Sequence, residues 1–430
     1  MARSGPSSVH AGDRAEGFYT HRAVIGEDPV ADALALPACR GVVVMVGGGE
    51  RPVFMAATGN CRALARRKLA PAEKGVRAGA DVRSIVHEVR AVACASAFES
   101  DLVYLLLARE LMPHAAKLVA DRWRSWWAQI DPQAAFPEWS KTDLAVGAVA
   151  PRSTVTPKGM VRDAQGTIVG PFADKDAAGR FIERMIDAFD LCREHRLLVL
   201  APRAQACAYK EMRRCDAPCD GSEGMDSYRA RVRAAVEAAA GEGMPACVEE
   251  AEGAMRSCAA AQDFEGAARH KARADRLAKL AGPAGLRVGR LDEFSFLVVW
   301  RGGRAGWARL MCCERGFVRW LGDVEVNGSK PSAEMGELCR EARAWRESMR
   351  GVEMGRGEVD VLGLLARERV MADTKRSAWF VPVRGTSDDE LARGVARAAA
   401  AAMKPRKGRE DSAGGEPVHE LEAMPEGAAV

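Results

Sequence analysis

Cys192-Arg193-Glu194-His195 opens, and Arg213-Arg214-Cys215-Asp216-Ala217-Pro218-Cys219 closes, a stretch whose four cysteines fall in the pattern C-x14-C-x7-C-x3-C. Four thiols with unequal gaps suggest one shared metal centre. Cys215 and Cys219 are four apart, so a helical turn would point both sulfurs the same way, with Pro218 and Gly221 ending that turn. Cys192 and Cys207 then arrive from a separate segment. The C-x2-C knuckles that usually mark tetrahedral zinc are missing, whereas an all-thiolate iron–sulfur cluster accepts wider, uneven spacing. Spacing alone leaves a plainer reading open, four unrelated buried thiols, because free cysteine behaves as a small hydrophobe.

The chain around this stretch has 430 residues, 48% apolar and 28% charged, which is ordinary for a soluble globular protein of two to four domains. No h-region opens the sequence and no run reaches about 18 apolar residues, so export and membrane spanning are not expected. In a cytoplasmic chain thiols stay reduced, and the 12 cysteines are metal or packing candidates instead of a disulfide frame. Eight of them, Cys39, Cys61 and Cys312-Cys313 included, lack ligand spacing and read as core. A net charge of +4 says little about partners. Local clusters say more: Arg62, Arg66 and Arg67 with Lys68, and Lys210, Arg213 and Arg214 beside the cysteines.

The run from Gly170-Pro171-Phe172 through Phe189, Cys192, Cys207, Arg214-Cys215, Ala217-Pro218-Cys219 and Gly221 to Tyr228 resembles the cysteine-rich segment of the bacterial UvrC excinuclease family. In that family the segment reads G-P-[YF], then F-x-x-R-x-C, then P-C-x7-C-x-x-P-C-x-G, then a tyrosine that opens a helix. Here Arg193 follows the first cysteine and Ala206 replaces the proline, but the order and the last two gaps are kept. The resemblance implies a [4Fe-4S] cluster on Cys192, Cys207, Cys215 and Cys219, with Zn as the alternative.

Further upstream, Gly41-Val42-Val43-Val44-Met45-Val46 reads as a strand, Gly47-Gly48-Gly49 as a turn and Pro52-Val53-Phe54-Met55-Ala56 as a second strand, followed by an Arg- and Ala-rich helix. This order resembles the GIY-YIG nuclease domain that opens UvrC. Val43 stands where the family has its first tyrosine, Phe54 replaces the second, Leu64 the arginine and Ala108 the metal-binding glutamate, while Asn60 is kept. Phosphodiester hydrolysis needs a metal ion, an activated water and a cation for the developing charge, and these replacements offer none of them.

Downstream, the segment from Pro245 reads as two helices, the second opening on Asp263 with Glu265 in its first turn and stopping at Gly282-Pro283. Met255, Phe264, Glu265, Ala267, Ala268 and Leu277 resemble the UVR hairpin by which UvrC meets UvrB, with Lys271 and Ala272 departing from its later arginine and aspartate. Trp123, Trp126, Trp127 and Trp139 are expected in a core more than on a base-stacking platform. Strands near 294–300, 307–313, 317–321 and 378–383 with helices near 333–349 and 359–371 form a last unit, without the D-x-S-H motif of the family's RNase H-like nuclease.

The expected class is α/β, of the α+β kind: an N-terminal arm at 1–36, a degenerate GIY-YIG-like domain at 37–130, a cysteine-rich domain at 131–243, a helical hairpin at 244–283, a C-terminal α+β domain at 284–385 and a polar tail at 386–430. The resemblance implies a nucleotide-excision-repair protein that binds DNA and a UvrB-like protein and has no incision chemistry of its own. Two alternatives are a divergent GIY-YIG-type DNA endonuclease that uses Arg62 or Arg67, and an iron–sulfur redox sensor unconnected with DNA.

Overall fold

The computed structural model describes residues 15–71, 82–144, 152–155, 161–164, 166–239, 243–280, 288–371, 377–404 and 417–422. The first part of the expected arm, the Gly282-Pro283 stop and most of the stretch beyond Lys404 lie outside these residues. The chain is mixed α/β and divides into two compact units, one built from Met1–Arg124 with Ser295–Val430 and the other from Ser125–Phe294.

In the first unit β1 (His21–Val24) and α1 (Pro29–Asp32) lead into β2 (Gly41–Gly47), β3 (Arg51–Thr58), α2 (Cys61–Leu69), β4 (Val86–Ala93), α3 (Ala97–Leu111) and α4 (Pro113–Ala120). Every residue of β2 is buried, as suits a β-branched run with a strand on either side. It pairs antiparallel with β3, Val43 opposite Ala56, and with β4, Val43 opposite Ala91. The reversal between β2 and β3 passes through left-handed backbone at Gly49 (φ 71) and Glu50 (φ 60), a conformation glycine adopts without steric penalty. The Asn60 side chain accepts the Ala63 amide at 3.0 Å and Ser96 accepts the Glu99 amide at 3.1 Å, so both helices begin on a satisfied N-cap.

The second unit contains β5 (Trp126–Ile130), β6 (Ser140–Thr142), β7 (Arg152–Val155), β8 (Val161–Ala164), β9 (Thr167–Phe172), α5 (Lys175–Ala188), α6 (His195–Leu198), α7 (Ala208–Glu211), α8 (Met225–Ala239), α9 (Met244–Ala260), α10 (Phe264–Leu280) and β10 (Gly289–Arg290). Its larger sheet runs β10-β9-β5-β6, and β7 and β8 pair separately. Ile182 and Met185 of α5, Tyr228, Val232 and Val236 of α8, and Ala274, Leu277 and Leu280 of α10 close one core over Val169 and Ile130. Trp127 and Trp139 are buried in this unit and Trp123 in the other, in keeping with packing and not base stacking.

Returning to the first unit, β11 (Ser295–Arg301), β12 (Trp307–Glu314), β13 (Phe317–Glu325), α11 (Ala333–Ser348), α12 (Arg356–Val370), β14 (Trp379–Pro382), α13 (Asp388–Met403) and β15 (Pro417–Glu422) follow. The sheet β13-β12-β11-β14 is antiparallel throughout. Cys339 and Ala342 of α11 and Leu391, Val395 and Ala399 of α13 pack on Leu297, Val299 and Leu310. The α13 helix corrects the expectation of a polar tail from 386. Ser387 and Glu390 form a capping box (2.8 and 3.3 Å), and the small apolar residues behind it recur at helical spacing, which is enough to dock a helix. The last strand, β15, pairs with β3, Glu420 opposite Ala56, and completes a sheet ordered β1-β4-β2-β3-β15. Arg309 of β12 holds Asp323 at 2.6 and 3.0 Å and also bonds to Glu99 of α3. That buried ion pair ties the N-terminal and C-terminal stretches of the unit together. Burial pushes the Glu99 carboxyl above the usual carboxylate range, against the opposing pull of Arg309.

Candidate metal centre

The four cysteines are delivered by loops between α5 and α8. After α5 the chain leaves the helix at Phe189 and turns through Asp190 (φ 47), and the Cys192 amide donates to the Tyr228 hydroxyl at 3.4 Å. Cys207 is the residue before α7, and its carbonyl accepts the Lys210 amide at 3.1 Å. Cys215 and Cys219 do not share the helical turn that their spacing suggested. Ala217 between them is left-handed (φ 52) and a 3-10 turn begins at Pro218, because the proline ring clashes with right-handed helical backbone in the residue before it. The Cys219 carbonyl accepts the Ala204 amide at 3.0 Å, which folds the loop back on itself.

Cys215 and Cys219 are buried and Cys192 and Cys207 half-buried. Their electrostatics are linked. A hydrogen bond from the Cys192 thiol holds Cys215 below the ordinary thiol value, with Arg231 acting in the same sense. The same bond and burial push Cys192 up. Cys219 is raised by burial and then by its neighbours Cys215, Asp220 and Cys207. An all-sulfur donor set of this kind suits thiophilic iron and zinc chemistry.

The cations beside the cysteines are paired. Lys210 contacts Asp220 at 2.6 Å, Arg213 contacts Glu265 at 2.5 Å, and Arg214 contacts Asp187 at 2.9 Å. Arg193 also bonds to Asp187, and Arg231 bonds to Asp216 and Glu223. Sequence reasoning missed Arg231, whose only signal is its place one turn after Tyr228 on α8. In the first unit the Arg62 Nε donates to the Leu36 carbonyl at 2.8 Å, while Arg66 and Arg67 are exposed. A cavity of about 70 Å³ beside Cys192 is lined by Glu138, Trp139, Arg193, His195 and Tyr228. The Trp139 Nε1 is buried there with no hydrogen-bond partner among the described residues.

The positions of the nuclease motif are not on a cleft. Val43, Phe54 and Leu64 are 0% exposed and belong to one apolar cluster with Cys61 and Ala65, and Ala108 on α3 is also 0% exposed. On the hairpin, Asp263 caps α10 by accepting the Gly266 amide at 2.9 Å. The expected contact residues separate into two faces. Leu277 is fully buried in the unit's own core and cannot meet a partner, whereas Phe264 is 72% exposed; Glu265 and Ala268 are exposed, and Met255 and Ala267 are half-buried.

Residues 144–238 match the family described as UvrC/Cho excinuclease, middle domain. Two curated proteins described as UvrABC system protein C are similar to the chain. The one from Chelativorans sp. (strain BNC1) is 29% identical over 142 residues, 33% of this chain and 21% of that protein. The one from Ruegeria pomeroyi (strain ATCC 700808 / DSM 15171 / DSS-3) is 32% identical over 122 residues, 28% of this chain and 19% of that protein. The matched segments thus span about a fifth of those relatives' length. No solved structure matches the chain. The likeness to UvrC is therefore established for the middle of the chain, and all four cysteines lie inside it.

Proposed function

We propose that this chain, whose middle segment is of the UvrC/Cho kind, works in nucleotide excision repair as a cytoplasmic protein that binds DNA and a UvrB-like partner without cutting DNA itself. The observation that carries the reading is the match over residues 144–238 with Cys192, Cys207, Cys215 and Cys219 all inside it. Among the described residues, no helix is long and apolar enough to cross a membrane.

Those four cysteines hold a [4Fe-4S] cluster in this reading. A closed four-thiolate zinc site, with Zn–S bonds of about 2.3 Å, would hold its sulfurs about 3.8 Å apart. The uneven gaps between the cysteines, which an iron–sulfur cluster accepts, favour it over zinc. When bound, such a cluster supplies a one-electron centre and fixes its loops to one another. The chain's own part is to orient the thiols: the Tyr228 hydroxyl anchors the Cys192 backbone, and Arg231 offsets negative charge at Cys215.

Want of incision follows from Val43, Phe54, Leu64 and Ala108, which offer no hydroxyl, cation or carboxylate and are closed off from water. Arg66 and Arg67, exposed on α2, supply phosphate contacts. The exposed Phe264 at the start of α10, with Glu265 and Ala268, supplies the hairpin's outward contact surface for a partner helix pair.

The deciding experiment is anaerobic purification followed by a visible spectrum and a count of iron, sulfide and zinc, paired with a metal-dependent nicking assay on damaged and branched duplexes. Iron and sulfide in equal amounts, lost on Cys215→Ser, with intact duplexes, is the expected result. Zinc without iron would remove the cluster, and robust cutting lost on Arg67→Ala would establish the divergent nuclease instead.

A further inference from the structure

Three thiols outside the centre described above converge in the first unit. Cys39 lies two residues before β2, Cys61 is the first residue of α2, and Cys94 follows β4. The Cys61 amide donates to the Cys39 carbonyl and the Cys94 amide to the Arg40 carbonyl, each at 2.9 Å. A bond of this type holds two Cα atoms roughly 5 to 6.5 Å apart, inside the window of about 4.4 to 6.8 Å that a disulfide spans. A Cβ built on Gly41 would lie 2.8 Å from the Cys61 Sγ and would also meet the Val92 carbonyl, so this sulfur sits at the start of β2, two residues along the chain from Cys39, where a glycine leaves it room. Cys39 is exposed and Cys61 buried. The Cys94 thiol is engaged with its own strand, donating to the Val92 carbonyl at 3.7 Å.

We infer that Cys39 and Cys61 form an exchangeable dithiol that takes a small disulfide of the glutathione class. The Cys39 thiolate attacks one sulfur of the small disulfide; its S–S bond breaks, and one glutathione leaves as thiolate and takes up a proton. The Cys61 thiol then gives up its proton and its sulfur attacks Cys39. A Cys39–Cys61 bond forms, the mixed disulfide breaks, and the second glutathione leaves. Two protein thiols are oxidised and one small disulfide is reduced to two thiols, with no other electron source. Burial raises both protein thiols, Cys61 to about 12, so the exchange is slow near neutrality and its end point is set by proximity. The product ties the segment before β2 to the first turn of α2, the helix that displays Arg66 and Arg67.

The test uses the full chain, reduced and then equilibrated without oxygen at about pH 8 in glutathione buffers of graded ratio, quenched with acid, alkylated, digested and mapped by mass spectrometry. The expected product joins the peptides of Cys39 and Cys61. It should persist at a reduced-to-oxidised ratio about tenfold beyond the one that half-modifies Cys39 in Cys61→Ser. It should be lost in Cys39→Ser, whose replaced residue is on the surface, and kept in Cys94→Ser and Cys247→Ser. Three results would overturn the inference: Cys39 ending as a glutathione adduct beside a free Cys61, a bond from Cys61 to Cys94, or a stoichiometric metal ion released by Cys39→Ser. If Cys61→Ser does not fold, Cys39→Ser decides alone, because Cys61 must then stay unmodified at every ratio.

Discussion

Leu64→Ala separates a nuclease-like cleft from a packed interior. Leu64 is fully buried among Val43, Phe54, Cys61 and Ala65. Truncation removes three carbons, about 2.4 kcal/mol at about 0.8 kcal/mol per buried methylene. A cavity left only partly collapsed, on the order of 40 Å³ at about 24 cal/mol per Å³, adds about 1 kcal/mol. The total of about 3.4 kcal/mol lies within the range found for buried leucines, and it is a large share of the typical stability of a domain. Because the chain has two units, one global unfolding curve would blur the effect. Hydrogen exchange with mass spectrometry on the full chain resolves it. Peptides covering β2, β3 and β4 should exchange about 300-fold faster, at about 1.4 kcal/mol per factor of ten, while peptides from α8 stay unchanged. A change below about tenfold in those strands would show that Leu64 lines an open or yielding surface, and the account of a closed catalytic face would fall.

Glu99→Gln tests the buried ion pair. Its folded-state carboxyl is raised, so the proton is held more tightly than in the unfolded chain, and the stability this contributes is present below the ordinary carboxylate range and lost as pH rises through the folded value. The variant keeps the Arg309–Asp323 bond and should lose less thermal stability than the parent between acid and neutral pH; an identical slope would contradict the assignment. Gly266→Ala puts a methyl against the Asp263 carboxylate that caps α10. It should cost about 1 kcal/mol and speed exchange in the first turn of α10 without altering metal content. Replacing Arg66 and Arg67 together by Ala should lower the slope of log affinity against log salt by about 2 for duplex DNA, at roughly 0.9 per phosphate contact; an unchanged slope would take both residues out of the interface.

What the sequence made legible was whatever sits close in the chain. The β-branched run of β2, its glycine turn and the Asp263 cap are each decided by a few neighbouring residues, and all of them appear in the structure. The strands and helices of the C-terminal sheet were readable for the same reason. The α13 helix was missed because its alanines gave a weak apolar signal until Leu297 and Val299 supplied a surface to pack on. The turn at Cys215 and Cys219 was misread because helical spacing was counted through Ala217 without allowing for what Pro218 forbids there. Leu277 and Phe264 lie on one stretch of amphipathic pattern, and only packing could tell the face turned inward from the face left to solvent. Arg231 was marked only by its place one turn after Tyr228, and the meeting of Cys39 with Cys61 by nothing in linear spacing, since both depend on how distant segments return.

The strand pairing of β15 with β3 has a consequence for biosynthesis. Nearly the entire polypeptide must leave the ribosome between the two partners, and the second unit lies in that interval, so it can mature before the five-stranded sheet acquires its final edge. Until then β3 offers unsatisfied amides and carbonyls along one side, the kind of border through which nascent chains stick to one another. Chaperone dependence and losses during expression should therefore respond most to changes in the last strand, although that strand contributes little to the interior.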